Sequence, residues 1–307
     1  MKEPFLSSEK MHDNEVMTDE ALVRRLLAAQ FPEWADLPIE RVRSAGTDNA
    51  IYRLGDELAV RLPRIDWAIE AIEKECRWLP FLAPQLPLPV PVPLAMGDPS
   101  EGYPWHWSVC RWLDGENATL DRIADARQFA ADLAAFVVAL QRIDPVDGPR
   151  SGTPGVSRGV PLATRDAGTR AAISELDGII DTVAATAAWD AALVAPLWEA
   201  PPVWLHGDLQ SGNLLVNDGH LSAVIDFGCL AVGDPACDMM VAWTLLTADS
   251  RAAFRAAVAV DDATWARGRG WALSFGVGAF SYYKDTNPVL AGIGRHAIEQ
   301  ALADRDG

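Results

Sequence analysis

The sequence predicts an α+β fold: a small β-rich N-terminal lobe followed by a larger, mainly helical C-terminal lobe. Three observations predict it. Short apolar runs bounded by turn residues crowd the chain before residue 113. Helical periodicity dominates after residue 114. Between Trp204 and Gly228 lie two short apolar runs, Leu214-Leu215-Val216 and Ala223-Val224-Ile225, around a cluster of hydrogen-bonding residues. A length of 307 residues suffices for two lobes or one large domain with a full core.

Residues 1–17 are polar and mixed and read as a flexible tail, leaving 18–113 and 114–307 as the two lobes. Thr18-Asp19-Glu20 caps an amphipathic helix through Leu22, Val23, Leu26 and Leu27. Strand-like runs follow at Ile39 to Ser44, Ala50 to Leu54 and Leu58 to Leu62, with Gly55-Asp56-Glu57 as a hairpin turn between the last two. A helix from Ala68 to about Leu82 places Ile69, Ile72, Cys76 and Leu79 on one face. The proline-rich segment Pro84 to Pro93 cannot be helical and reads as extended. Strands Val92 to Met96 and His106 to Trp112 complete the first lobe.

Asp114-Gly115-Glu116 breaks the pattern. A helix is expected from Leu120 to Ile143, then a Gly/Pro/Ser-rich surface loop from Asp144 to Pro161. Helices near 166–181 and 188–199 precede the strand Val203-Trp204-Leu205. Further helices are expected near 236–247, 250–259, 262–279 and 288–303.

The net charge of −17 opposes a nucleic-acid binder, which needs cations to neutralise phosphates. An acidic surface instead attracts small cations. Cys76, Cys110, Cys229 and Cys237 show no metal-ligand spacing and read as apolar thiols in a reducing compartment. No run of eighteen apolar residues suggests a membrane span, and the first residues lack the pattern of a secretory signal. The expected location is the cytoplasm, as a monomer or homodimer.

The chemistry concentrates in His206-Gly207-Asp208-Leu209-Gln210-Ser211-Gly212-Asn213, followed by Asp226-Phe227-Gly228. These match H-x-D-x-x-x-x-N and D-F-G, the catalytic loop and metal-binding turn of kinase-like phosphotransferases. Asp208 is the candidate catalytic carboxylate, taking the proton of an acceptor hydroxyl. Asn213 and Asp226 are the candidate Mg²⁺ ligands, both hard oxygen donors. A pseudokinase would have lost one of these three. A metal-dependent hydrolase on His206, Asp208 and Asp226 would need further ligands at fixed spacing, which the sequence lacks.

With these residues the chain resembles the aminoglycoside phosphotransferase family, small-molecule kinases with a protein-kinase-like bilobal fold. The resemblance runs through Gly46 to Tyr52, Leu79 to Pro93, Trp204 to Val216 and Ala223 to Asp238. His-Gly-Asp in place of His-Arg-Asp is typical of that family, as is Gly233-Asp234-Pro235-Ala236-Cys237-Asp238. It implies transfer of the γ-phosphoryl of ATP or GTP, with Mg²⁺, to a hydroxyl of a small cationic acceptor. An aminoglycoside-type antibiotic leads, with resistance as its consequence; macrolides, homoserine, choline and sugar amines are the alternatives. It also implies that His206 and Asp238 support the catalytic loop.

For the nucleotide, backbone N–H groups of the loop holding Gly46, Thr47 and Asn49 are expected to reach phosphate, with an ordinary hairpin turn as the alternative. A kinase-like fold usually places a lysine on the third strand. The four lysines, Lys2, Lys10, Lys74 and Lys284, all lie elsewhere, so Arg61 takes that post. Its expected partner is Glu75, with Glu73 as rival. Val109 and Cys110 are expected to offer backbone groups to the nucleotide base. Acceptor-site candidates are Asp234, Glu175, Asp177 and Asp285, with Trp271, Tyr282 and Tyr283 as stacking surfaces; each has a blander reading as a solvated charge or core aromatic.

Overall fold

A computed structural model describes residues 15–42, 46 and 48–304. The expected tail lies outside the described residues up to residue 14. The chain divides into two compact units. The first holds Met1–Pro84, Pro89–Asp114 and Val224–Gly228; the second holds Gln85–Leu88, Gly115–Ala223 and Cys229–Gly307. The α+β class expected from the sequence is what the elements show: an antiparallel sheet in the first unit, mostly helices in the second.

The first unit opens with helix α1 (Glu20–Gln30), capped by Asp19, whose Oδ1 accepts from the Leu22 N–H at 2.7 Å. Strands β1 (Ile39–Arg41), β2 (Asn49–Leu54) and β3 (Leu58–Pro63) precede helix α2 (Ile69–Leu82) and strands β4 (Pro93–Gly97) and β5 (Trp107–Arg111). The sheet order is β1-β2-β3-β5-β4, antiparallel throughout. The expected continuation of the first strand to Ser44 runs into residues outside the described set. Tyr52 and Leu54 of β2 alternate with half-buried neighbours and pack with Val60, Leu62, Trp107 and Val109 against Leu22, Val23, Leu26 and Leu27 of α1. Gly97 is fixed by closeness: a Cβ there would lie 2.1 Å from Cε2 of the Trp107 ring.

The second unit contains β6 (Glu116–Asn117), α3 (Ala126–Arg142), α4 (Asp166–Glu175), α5 (Thr182–Leu193), β7 (Val203–Leu205), β8 (Leu214–Asn217) and β9 (His220–Val224). Then come β10 (Ala231–Gly233), α6 (Ala236–Met239), α7 (Val241–Thr244), α8 (Ala248–Val258), α9 (Asp262–Tyr283) and α10 (Pro288–Ala303). Its strands form two small sheets, β10-β7 and β6-β8-β9. α3 begins later than the sequence suggests, because Asp125 caps it by accepting from Arg127 and Gln128 N–H at 2.9 and 3.1 Å. α5 begins earlier than expected for the same reason: Asp181 accepts from the Ala184 N–H at 2.9 Å. The stretch 236–247 is two short helices, α6 and α7, joined at Met240. α9, at 22 residues, buries Trp265, Trp271, Leu273 and Val277, and α10 packs along it. Among the described residues no helix is long and apolar enough to cross a membrane.

All four cysteines are free thiols, with Cys110 and Cys237 buried. Burial pushes the Cys110 thiol up to about 11, so it stays protonated near neutral pH. Alkylation with iodoacetamide between pH 7 and 9 is therefore expected to spare Cys110 in the folded protein and to label it after denaturation, as read by mass spectrometry. Leu133 of α3 is fully buried beside Phe129, Phe136 and Val137 of the same helix. Leu133→Ala should cost about 2–5 kcal/mol, measured as a lowered denaturation midpoint.

Candidate active site

In the second unit, β7 delivers the chain into the loop His206 to Asn213. The chain turns at Gly207, whose φ is +84° and where a Cβ would lie 2.4 Å from the Cys229 carbonyl oxygen. Only glycine meets both conditions. The turn is held by Asp238, a fully buried carboxylate in the first turn of α6. Its Oδ2 accepts from the His206 N–H at 2.8 Å and its Oδ1 from the Gly207 N–H at 2.7 Å. Burial pushes the Asp238 carboxyl up, against the pull of His206 and these two N–H groups. His206 is itself fully buried, and its Nδ1 accepts from the Asp208 N–H at 3.2 Å.

Asp208 is then gripped by its side chain. Asn213 Nδ2 donates to the Asp208 carbonyl and to Oδ2, both at 2.9 Å. Arg158 Nη2 donates to Oδ1 at 3.0 Å. The Asp208 side chain remains 22% exposed. Both Asn213 bonds use its amide nitrogen, which leaves Oδ1 as an oxygen donor. Arg158 lies in the loop 144–161, and no sequence signal singles it out. That loop is tied down: Ser151 N–H donates to the Val232 carbonyl and Asp234 N–H to the Gly159 carbonyl, each at 3.0 Å.

The first unit holds the other charged cluster. Arg61 Nη1 donates to Glu75 Oε2, and Nη2 lies 3.7 Å from Asp226 Oδ1. Glu75 is fully buried, and its Oε1 accepts from the Phe227 N–H at 2.9 Å. The rival Glu73 instead meets His106 Nδ1 at 2.8 Å. Burial works against the Arg61 charge, but Glu75 and Asp226 outweigh it and push its pKa up, so the guanidinium stays cationic. Asp226 takes a left-handed backbone, φ +62°, which Asp tolerates better than most residues. Its side chain is half exposed. Lys74 Nζ donates to the Gly228 carbonyl at 2.9 Å.

Gly46 is exposed, and Thr47 lies outside the described residues. Asn49 opens β2, and its Oδ1 is buried with no hydrogen-bond partner among the described residues. Val109 and Cys110 lie in β5, an interior strand whose register pairs it with β3 on one side and β4 on the other. Their backbone groups therefore face neighbouring strands. The first residue past that ladder, Trp112, donates its N–H to the Glu57 carbonyl at 2.7 Å.

Several acceptor-site candidates have structural duties. Asp234 is buried and forked onto Arg267, with Nε–Oδ2 at 2.8 Å and Nη2–Oδ1 at 3.1 Å. Trp271 is a core residue beneath the Arg165 guanidinium, 4.8 Å from its ring centre. Glu175 accepts from Ser281 Oγ. Asp177, Asp285 and Tyr282 are exposed.

Mg²⁺ takes oxygen ligands and keeps several waters or phosphates, so a dedicated protein cage is not needed. Asn213 Oδ1 and the half-exposed Asp226 carboxylate are donors of that kind. Among the described residues, no group of three or more His, Cys, Asp or Glu is arranged to hold a metal by itself.

Residues 39–271 match the model of the phosphotransferase enzyme family. The chain belongs to that family. Solved structures agree in fold. The chain is similar to the GDP complex of wild-type aminoglycoside 2'-phosphotransferase-IIIa at a TM-score of 0.73 and 17% identity, over 94% of this chain and 99% of that one. The GDP and kanamycin complex of an APH(2") enzyme matches at 0.72 and 18%, over 92% and 99%. The apoenzyme of macrolide 2'-phosphotransferase MphH from Brachybacterium faecium matches at 0.60 and 21%, over 94% and 99%. No curated protein matches the chain in sequence. At these identities the likeness is one of fold: the protein-kinase-like arrangement of aminoglycoside and macrolide phosphotransferases.

Asp238→Ala would leave the His206 and Gly207 N–H groups buried without an acceptor, at about 1–3 kcal/mol each. The expected result is a lower melting temperature, and backbone amides of residues 206–208 that exchange with deuterium faster than in the unmodified protein.

Proposed function

We propose that this phosphotransferase is a small-molecule kinase. It moves the γ-phosphoryl group of ATP or GTP to a hydroxyl of a small, cationic acceptor, with aminoglycosides the first class to test. The observation that carries this reading is the state of Asp208. Its carboxylate is fixed by hydrogen bonds on both oxygens, yet the side chain keeps an exposed face from which to meet a hydroxyl.

In the proposed step, the acceptor oxygen forms a bond to the γ-phosphorus while the bond to the β–γ bridging oxygen breaks. The nucleoside diphosphate leaves, and the acceptor proton passes to Asp208. Asn213 Oδ1 and a carboxylate oxygen of Asp226 would hold Mg²⁺, which neutralises charge on the phosphates. Arg61, kept cationic by Glu75, would hold phosphate oxygens of the nucleotide. His206 and Asp238 act through the loop backbone. The residues Gly46, Thr47 and Asn49 remain the proposed phosphate loop. Val109 and Cys110 are proposed to carry β5 past the base site, with Leu113, just past the ladder, supplying the backbone groups.

The acceptor class draws support from three directions. The net charge of −17 favours cations at long range. Structures of similar fold include complexes of APH(2") enzymes with kanamycin and gentamicin. Macrolide phosphotransferases of the same fold make macrolides the next class. Antibiotic resistance, and a cytoplasmic monomer or homodimer, complete the proposal.

A phosphate-release and coupled-nucleotide assay with Mg²⁺ tests it against kanamycin, gentamicin, a macrolide, choline and homoserine. Nucleotide-dependent phosphorylation of at least one is expected, lost on chelation of divalent ions. Asp208→Ala should lower turnover at least about 100-fold while ADP binding, followed by calorimetry, persists. Arg61→Ala should raise the nucleotide KM about tenfold; an unchanged KM removes Arg61 from the site.

A further inference from the structure

The loop 144–161 carries a residue that the sequence does not advertise. Arg158 puts Nη2 3.0 Å from Oδ1 of Asp208, while Asn213 takes Oδ2 at 2.9 Å. A carboxylate side chain has two rotatable bonds, and bonds to both of its oxygens remove that freedom. Arg158 is one of the two constraints.

The arginine is itself built into place. A Cβ at Gly207 would lie 3.0 Å from both Cβ and Cγ of Arg158. The middle residue of His-Gly-Asp is therefore small partly because a guanidinium stem from another loop passes over it. Gly159, with φ +68°, follows directly, and its carbonyl accepts from the Asp234 N–H at 3.0 Å. Asp234 is in turn forked onto the buried Arg267. The hold on Asp208 thus runs back through Gly159 and Asp234 to the core of the second unit.

The arrangement carries a cost. Arg158 is largely buried, and its Nε–H is buried with no hydrogen-bond partner. An unmet donor costs free energy. The placement sacrifices one N–H to bring another onto Asp208.

We propose that Arg158 is a positioning residue for phosphoryl transfer, locking the Asp208 carboxylate, together with Asn213, in the orientation that receives the acceptor proton. This rests on the reading of Asp208 as the proton-accepting carboxylate. The guanidinium touches Asp208 and acts through it.

The test uses the full chain with Mg²⁺ and ATP or GTP, and water as the acceptor, so that no acceptor need be known. Arg158→Ala is expected to lower kcat about 10- to 100-fold with the nucleotide KM within about twofold. Arg158→Lys should recover part of the loss, because it restores the charge without the fork. Guanidinium ion at low millimolar concentration should raise turnover of Arg158→Ala and leave Asp208→Ala unaffected. A crystal structure of Arg158→Ala should show Asp208 turned away from Asn213.

Turnover of Arg158→Ala equal to the unmodified protein overturns the proposal, provided Asp208→Ala is inactive. So does an Asp208 side chain that stays in place without the arginine. A loss accompanied by an equal rise in KM, with no recovery in Arg158→Lys or with guanidinium, also overturns it by making the role one of folding. If Asp208→Ala hydrolyses nucleotide normally, the kinase reading falls first and this proposal with it.

Discussion

The loop from His206 to Asn213 depends on one buried carboxylate. Asp238 accepts two consecutive backbone N–H groups, those of His206 and Gly207, from a position with no access to water. A carboxylate takes both, one on each oxygen, and charge-assisted bonds are the stronger kind. The loop cannot relax without stranding these donors. Every later contact follows from it: the Asp208 N–H meets the His206 ring, and Asn213 closes the loop onto Asp208. The buried acid is therefore more a scaffold for geometry than a source of net stability, as is general for buried charges.

The described residues answer a strongly acidic composition with arginines at chosen points. Arg61 sits on Glu75, Arg158 on Asp208 and Arg267 on Asp234. Each cation is largely buried, and each carboxylate lies in or beside a segment that the sequence motif marks. Arginine suits these positions because its charge survives burial and its fork can serve two acceptors. Arg267 shows this most fully, with Nε and Nη2 on the two oxygens of Asp234 and Nη1 on the Pro196 carbonyl. The surface acidity is left to act at long range, while the site is organised by local pairs.

Much of this was legible in the residues, for identifiable reasons. Strand β2 carries alternation, a glycine turn separates it from the mostly apolar run of β3, and α1 has both a cap and a period. The loop His206 to Asn213 stands out because its spacing is set by backbone geometry within a few residues. The start of α3 was less visible: Leu120 continues the apolar pattern, but Asp125 competes as a cap and takes the helix start. The two-sided pairing of β5 was hidden because strand order is a long-range property. It moved the free backbone past Val109 and Cys110. Arg158 was hidden for the same reason. It lies 50 positions before Asp208, and nothing local in a glycine- and proline-rich loop says where an arginine will point.

The guanidinium in β3 also alters how this protein meets chemical probes. An amine at that post would condense with aldehydes and be acylated by activated esters. A guanidinium does neither, and its natural electrophiles are vicinal dicarbonyls. Labelling strategies that tag kinases through their strand lysine will pass over Arg61, and inhibitors that rely on an imine bond there will find no nucleophile to capture.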